Sequence, residues 1–221
     1  MCSVVVKSDT KMPETIGIFG GTFDPVHHGH LRSALEVAQQ LGLDHIRLIP
    51  SASPPHREQP RATAQQRLMM LHLAIKNSSQ FVVDDRELHR DGLSYTVDTL
   101  LSLREEFVEN PLYLIVGTDA FSALQTWHNW RQLIKLSHIV VVSRPGEDLS
   151  LPESLEFWYQ RHLATEADRD LIAGKIWPVT VTQLAISATA IRESIANNES
   201  PEFLLPDAVL RLIEQTGLYQ D

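Results

Sequence analysis

The chain has 221 residues, enough to bury a core as one domain or two small ones without disulfide staples. Its 28 acidic against 19 basic side chains leave a net charge of −9, which argues against a nucleic-acid or membrane-surface binder, since either needs a basic face. A composition of 43% hydrophobic and 21% charged residues excludes a disordered or fibrous chain, while a small anionic ligand, needing only a local patch, stays compatible.

Taken from the N-terminus, residues 1–14 hold a short apolar stretch and then charges, which reads as a tail and not as a signal peptide. Cys2 is the only cysteine, so a disulfide framework and a cysteine zinc site are excluded, and a reducing, cytoplasmic compartment is expected. Thr15–Phe19 reads as a strand, followed by the turn GGTFDPVHHGH. The spacing then predicts a helix over His28–Leu41, with Leu31, Ala34, Leu35 and Ala38 on one face and Gly42 as its stop. His45–Ile49 is a second strand, and SASPPHREQP after it can only be a loop. Thr63–Lys76 reads as a helix capped by Thr63, with Leu68, Leu71, Ala74 and Ile75 facing in.

Phe81–Val83 is a short strand and Thr96–Phe107 a helix. Leu112–Val116 follows as a strand, Trp127–Leu136 as a helix and His138–Ser143 as a strand. The apolar runs Leu112–Val116 and Ile139–Val142 are the longest in the chain and too short to span a bilayer. Residues 147–175 are acidic, carry Trp158 and Tyr159, and are expected to form a helical excursion. Val179–Leu184 returns to strand character, and helices over Thr189–Asn197 and Pro206–Thr216 close the chain. The alternation predicts one α/β domain over residues 1–221: a parallel sheet with helices on both faces and a small helical extension at the C-terminus.

The most informative segment is GIFGGTFDPVHHGH, Gly17–His30. Gly20 and Gly21 directly after a buried strand allow close backbone approach, and the following helix offers free N–H groups and a positive dipole end, an anion site of the phosphate-binding kind. The string is neither a GxxxxGK[ST] loop nor a GxGxxG fingerprint. In their place stand His27 and His30, whose spacing would set them on one helix face, with Gly29 removing a side chain that would crowd a ligand. Paired imidazoles can donate to phosphate oxygens and stabilise charge in a transition state. Two plainer readings stand beside this one: a solvated or capping histidine, and a zinc site built on three histidines.

The turn resembles the HxGH signature of the nucleotidyltransferase superfamily, and ISATAIR (Ile186–Arg192) its SxTxIR motif. The finer resemblance is to the bacterial nicotinate-nucleotide adenylyltransferase family. It is carried by SASPPHR, DGLSYTVDTL, LIVGTDAF, TWHNW, VVSRPG and the ending LLPDAVLRLIEQTGLY, blocks that span Gly17–Tyr219. The resemblance implies a Rossmann-like, doubly wound sheet and transfer of the adenylyl group of ATP to nicotinate mononucleotide, giving deamido-NAD and pyrophosphate.

It also implies residue roles. His27, His30 and Arg192 would carry the catalysis, with the two histidines on the ATP phosphates and Arg192 on the leaving pyrophosphate. Ser187 and Thr189 would hold the β- and γ-phosphates, the Gly20–Gly21–Thr22–Phe23 backbone would lie along both nucleotides, Gly117 and Asp119 would border the adenosine, and Arg144 would approach the adenine or phosphate side. Tyr95, Thr96, Trp127 and His128 would receive the pyridine ring, its carboxylate accepting from amides near Thr96 and Trp127. His128 stands where the family often has tyrosine. His56 and Arg57 could close over the mononucleotide phosphate or lie in a solvated loop. Magnesium would arrive with ATP, held by phosphate oxygens and water and not by a protein cage.

Taken alone, SATAIR also reads as a capped amphipathic helix, Asp119 as a helix cap and Trp127 as a core tryptophan. Rival functions are the same chemistry on nicotinamide mononucleotide or another phosphate acceptor, and a nucleotide-binding protein without turnover. A homo-oligomer stays open.

Overall fold

A strand that opens the chain lies near the middle of the sheet, and this fixes where a ligand can sit. In the structure, a computed structural model, residues 13–53, 59–146, 149–182 and 184–220 are described. The first half runs β1 (Ile16–Gly21), α1 (His28–Leu41), β2 (His45–Pro50), α2 (Ala64–Ile75) and β3 (Phe81–Val83). The second runs α3 (Thr96–Glu106), β4 (Leu112–Gly117), α4 (Thr118–Ser122), α5 (Trp130–Leu136), β5 (His138–Ser143), α6 (Glu153–His162) and β6 (Ile176–Thr180). Helices α7 (Ala188–Ala196) and α8 (Asp207–Thr216) complete it.

The six strands are ordered β3-β2-β1-β4-β5-β6, and every pair is parallel. The chain winds outward from β1 in one direction and from β4 in the other. Their carboxyl ends therefore flank the crevice in which open α/β sheets of this Rossmann-like, doubly wound kind bind ligands. β4 is buried from Leu112 to Val116 because both faces of the sheet are covered. On one face Ile46 and Leu48 pack with Val37, Met70, Ile191 and Ile213, from α1, α2, α7 and α8. On the other Ile16 and Ile18 meet Leu100, Phe121, Leu133 and Leu155, from α3 to α6.

Local signals account for the helix ends. Gly42 closes α1 at φ 69°, a left-handed conformation that favours glycine. Thr63 caps α2 with a reciprocal bond to Gln66. The inward face of α2 is set by Arg67, Met70, Leu71 and Ile75, with Leu68 and Ala74 only half-buried. In α1 Val37 is buried where Leu31 and Leu35 are half-buried.

Two expected elements shift. The helix expected over Trp127–Leu136 begins at Trp130, because Trp127 is extended (φ −76°, ψ 142°) and Asn129 turns the chain at φ 51°. The strand expected over Val179–Leu184 lies at Ile176–Thr180; it is an edge strand, where Pro178 is tolerated opposite Val141. The short helix α4 lacked any periodic signal. Within residues 149–175 the helix α6 covers Glu153–His162. Among the described residues no helix is long and apolar enough to cross a membrane.

Candidate active site

The turn that leaves β1 supplies the first half of the site. Phe23 takes φ 52°, strained for a non-glycine residue, and is held there by burial and by edge contacts of its ring with Phe19 (5.9 Å) and His30 (5.2 Å). His27 is the N-cap of α1. Its Nδ1 accepts from the His30 amide at 3.4 Å, and the Nδ1 of His30 accepts from the His27 amide at 3.3 Å. The two rings stack 3.7 Å apart. The pair is thus brought together by a capping box, with His27 outside the helix, and not by a shared helix face as the spacing suggested.

This arrangement sets the tautomers. A ring whose Nδ1 accepts carries its proton on Nε2 when neutral, so both histidines present Nε2–H as donor. Burial, with a smaller contribution from neighbouring His28, lowers the His27 pKa from 6.5 to about 4, so its imidazole is neutral near pH 7. Gly29 serves the same pair. A Cβ there would sit 3.0 Å from Cε1 and Nδ1 of His27, so the missing side chain makes room for a protein ring and not for the ligand.

The second half comes from α7, whose N-terminus lies beside that of α1: the same Cβ on Gly29 would be 3.5 Å from the carbonyl oxygen of Ile186. Ser187 caps α7 by accepting from the Ala190 amide at 3.1 Å, which keeps its O–H as a donor. The segment is thus a capped helix, as its sequence taken alone reads. Thr189 follows on the first turn, exposed. Arg192 Nη1 donates to the carbonyl oxygen of Asp24 at 2.7 Å and lies 4.0 Å from its Oδ2, and Nη2 reaches Thr189 Oγ1 at 3.4 Å. HxGH and SxTxIR, far apart in sequence, meet at the Asp24 turn.

Between β1 and β4 opens a cavity of about 290 Å³. Its lining includes Gly20, Gly21 and Thr22 at the end of β1, and Tyr95, Thr96, Trp127 and His128. His128 and Tyr95 face each other at 4.5 Å. Trp127 is half-buried, packed against the core and lining the cavity, so it is not a fully buried core tryptophan. Thr96 begins α3, and Tyr95, its N-cap, makes no side-chain bond to the helix. That end therefore offers amides and a positive dipole to an anion in the cavity. The Trp127 amide, by contrast, already donates to Leu124 at 3.0 Å, which removes it as a carboxylate donor.

Gly117 is the N-cap of α4 at the end of β4; Asp119 lies in its first turn, exposed, and does not cap. Arg144 follows β5, also exposed. A Cβ on Gly20 or Gly117 would meet nothing within 4 Å, so open space lies before both. His56 and Arg57 lie outside the described residues. Spacing gave no hint of Ser94, whose Oγ accepts from the Ala52 and Ser53 amides at 3.0 and 3.2 Å and ties the β2 loop to the cavity rim. It also missed Asp24. That aspartate lies inside the quoted motif, but its partners come from distant segments. Among the described residues no group of three or more His, Cys, Asp or Glu is arranged to hold a metal ion.

Residues 18–194 match the family model described as cytidylyltransferase-like. A protein of Pseudomonas syringae pathovar tomato named "Probable nicotinate-nucleotide adenylyltransferase" is 49% identical over 217 residues, covering 96% of each chain. One of the same name from Methylococcus capsulatus is 50% identical over 208 residues, 92% of this chain and 99% of its own. Among solved structures, Plasmodium falciparum nicotinic acid mononucleotide adenylyltransferase complexed with NaAD superposes with a TM-score of 0.72 at 17% identity, over 94% of this chain and 98% of that one.

Proposed function

Because the chain belongs to the cytidylyltransferase-like family and, within it, to the nicotinate-nucleotide adenylyltransferases, we propose that its stacked His27–His30 pair serves adenylyl transfer from ATP to nicotinate mononucleotide, a step of NAD biosynthesis. The observation that carries this reading is the reciprocal His27–His30 cap at the end of the turn whose Gly20, Gly21 and Thr22 line the cavity between β1 and β4.

The 5′-phosphate of the mononucleotide forms a bond to the α-phosphorus of ATP as the bond to pyrophosphate breaks, with inversion in line. The attacking phosphate oxygen is already anionic, so no general base and no covalent enzyme intermediate is needed. Catalysis consists of holding two anions in line and absorbing charge as it develops. His27 and His30 donate to the α-phosphate region. Ser187, Thr189 and the amides of α7 take the β- and γ-phosphates, and Arg192 supplies a fixed cation for the leaving group. Gly117, Asp119 and Arg144 border the adenosine, with Asp119 accepting from ribose hydroxyls.

Trp127, Tyr95 and His128 wall the pyridine ring, whose positive charge suits an aromatic face. The N-terminus of α3 at Thr96 answers the nicotinate carboxylate. Asp24, the carboxylate inside the HxGH turn, has both oxygens engaged by protein donors, so a magnesium ion would have phosphate oxygens and water as ligands. Bound that way it would shield the charge of the triphosphate. We read residues 1–221 as one such domain, working in the cytoplasm.

The test is pyrophosphate release from ATP with nicotinate mononucleotide, nicotinamide mononucleotide, phosphopantetheine or no acceptor. Turnover only with another acceptor reassigns the substrate. ATP binding without turnover on any acceptor returns the chain to the nucleotide-binding class.

A further inference from the structure

The stretch that follows α8 does something the reaction scheme leaves unused. After α8, Gly217 (φ 63°) closes the helix, and the Leu218 amide donates back to Ile213 at 3.1 Å, which turns the chain inward. Tyr219 follows at φ 68°, left-handed and strained for its residue type, and is 2% exposed. Its hydroxyl donates to Asp24 Oδ1 at 2.7 Å across 195 positions of sequence. The same carboxylate, 5% exposed, accepts from the Arg61 amide at 2.9 Å through Oδ2 and from the Ala62 amide at 3.1 Å through Oδ1. Beside it Arg67, 1% exposed, donates to the Thr22 carbonyl at 2.8 Å. The turn carrying Thr22–His27 is thus pinned from behind by α2 and by the C-terminus.

Asp24 is also the residue on which Arg192 rests. One guanidinium nitrogen bonds its carbonyl at 2.7 Å and lies 4.0 Å from its carboxylate. A buried carboxylate left with only the Arg61 and Ala62 amides would draw this cation toward itself, and the phosphate would lose it, since a buried charge holds most tightly to a counter-ion when it has fewest donors. We infer that Tyr219 is a positioning residue for adenylyl transfer: its hydroxyl satisfies Asp24 and so leaves Arg192 poised for the triphosphate. The inference rests on the function proposed above. It gives the closing TGLY segment a role at the ATP end of the site and none at the pyridine end.

The test is Tyr219→Phe, which keeps the buried ring and removes only the O–H. Calorimetric titration with ATP separates the folded fraction, read as stoichiometry, from the affinity of the folded molecules. Weakening of ATP affinity and of kcat/KM for ATP by about tenfold is expected, with stoichiometry kept and KM for nicotinate mononucleotide within about twofold, the scale of one charge-assisted hydrogen bond. In an Arg192→Lys background the same substitution should change ATP affinity by less than about twofold, because the group it acts through is gone.

An equal loss in both backgrounds, unchanged ATP constants, equal effects on ATP and acceptor, or a loss of stoichiometry alone would each overturn the positioning role. If wild-type protein released no pyrophosphate with nicotinate mononucleotide, the functional reading would fail instead, and the ATP titrations would still judge Tyr219.

Discussion

His27 and His30 each accept the other's backbone amide through Nδ1, and their rings stack 3.7 Å apart. One local device therefore ends the loop, starts α1 and leaves Nε2 as the protonated nitrogen of each neutral ring. A capping box of this kind is ordinarily built from a hydroxyl and the side chain of a glutamate or glutamine. On the proposed function, histidines in those places would turn the cap itself into a pair of donors for a phosphate.

His30→Ala tests the pair as catalyst. Turnover should fall roughly 10²-fold, the scale for losing one preorganised donor to transition-state charge. ATP affinity should change much less, since Ser187, Arg192 and the helix amides remain. The variant also loses half of the cap, at about 1 kcal/mol, or a melting temperature lower by roughly 2–4 °C. Near-normal kcat in the folded variant would remove the catalytic role.

Acid should destabilise the protein through His27. Its folded pKa is about 4, below the ordinary 6.5, so between those values the unfolded chain binds a proton that the native state refuses. Stability from this group is fully present above pH 6.5 and lost as pH falls toward about 4, to an extent on the order of 3 kcal/mol. His27→Asn keeps a capping oxygen and removes the titration. Urea unfolding across this pH range should show a smaller acid loss for the variant than for wild type. Parallel curves would contradict a buried neutral His27.

Nicotinate mononucleotide should exceed nicotinamide mononucleotide in kcat/KM by orders of magnitude. The uncapped end of α3 at Thr96 favours an anion, and sites built around a hydrogen-bonded polar group discriminate strongly. Steady-state rates with both acceptors decide it. Equal values would mean that the carboxylate points elsewhere.

Much of this molecule was legible in its residues because the local signals agree with the global fold. The strand, double glycine and helix around Gly20 follow one another without conflict, and α1 and β5 begin and end where periodicity predicts. Where the reading slipped, the determinant was either unmarked or remote. Asn129 bends the chain at φ 51° without a glycine to announce it, so the apolar spacing from Trp127 to Leu136 looked like one helix. Pro178 spoiled a strand signal that its edge position makes harmless. The bond from Tyr219 to Asp24 joins two motifs each visible in the sequence, but nothing in either points to the other. Spacing also paired the two histidines for the wrong reason, and with them Gly29.

Gly29 supports the last prediction. Glycine inside a helix is unfavourable relative to alanine by about 1 kcal/mol, so Gly29→Ala should strengthen α1 if nothing else changed. The added Cβ, however, would stand 3.0 Å from Cε1 and Nδ1 of His27, closer than such contacts normally allow. The His27 ring has little freedom to yield: it is 5% exposed, stacks on His30 and accepts the His30 amide. A shift of a few tenths of an ångström is the least the pair must make, and it moves Nε2, the donating atom. Stability should therefore change by less than about 1 kcal/mol, gain and strain offsetting, while kcat drops about tenfold, since misplacement by about 1 Å can cost 10²-fold. ATP affinity should hold, because the phosphate-binding amides of α7 are untouched. The measurement is kcat beside a thermal melt on the same preparation. Full activity with raised stability would mean that the His27 ring gives way freely, and that its position is not what sets the rate.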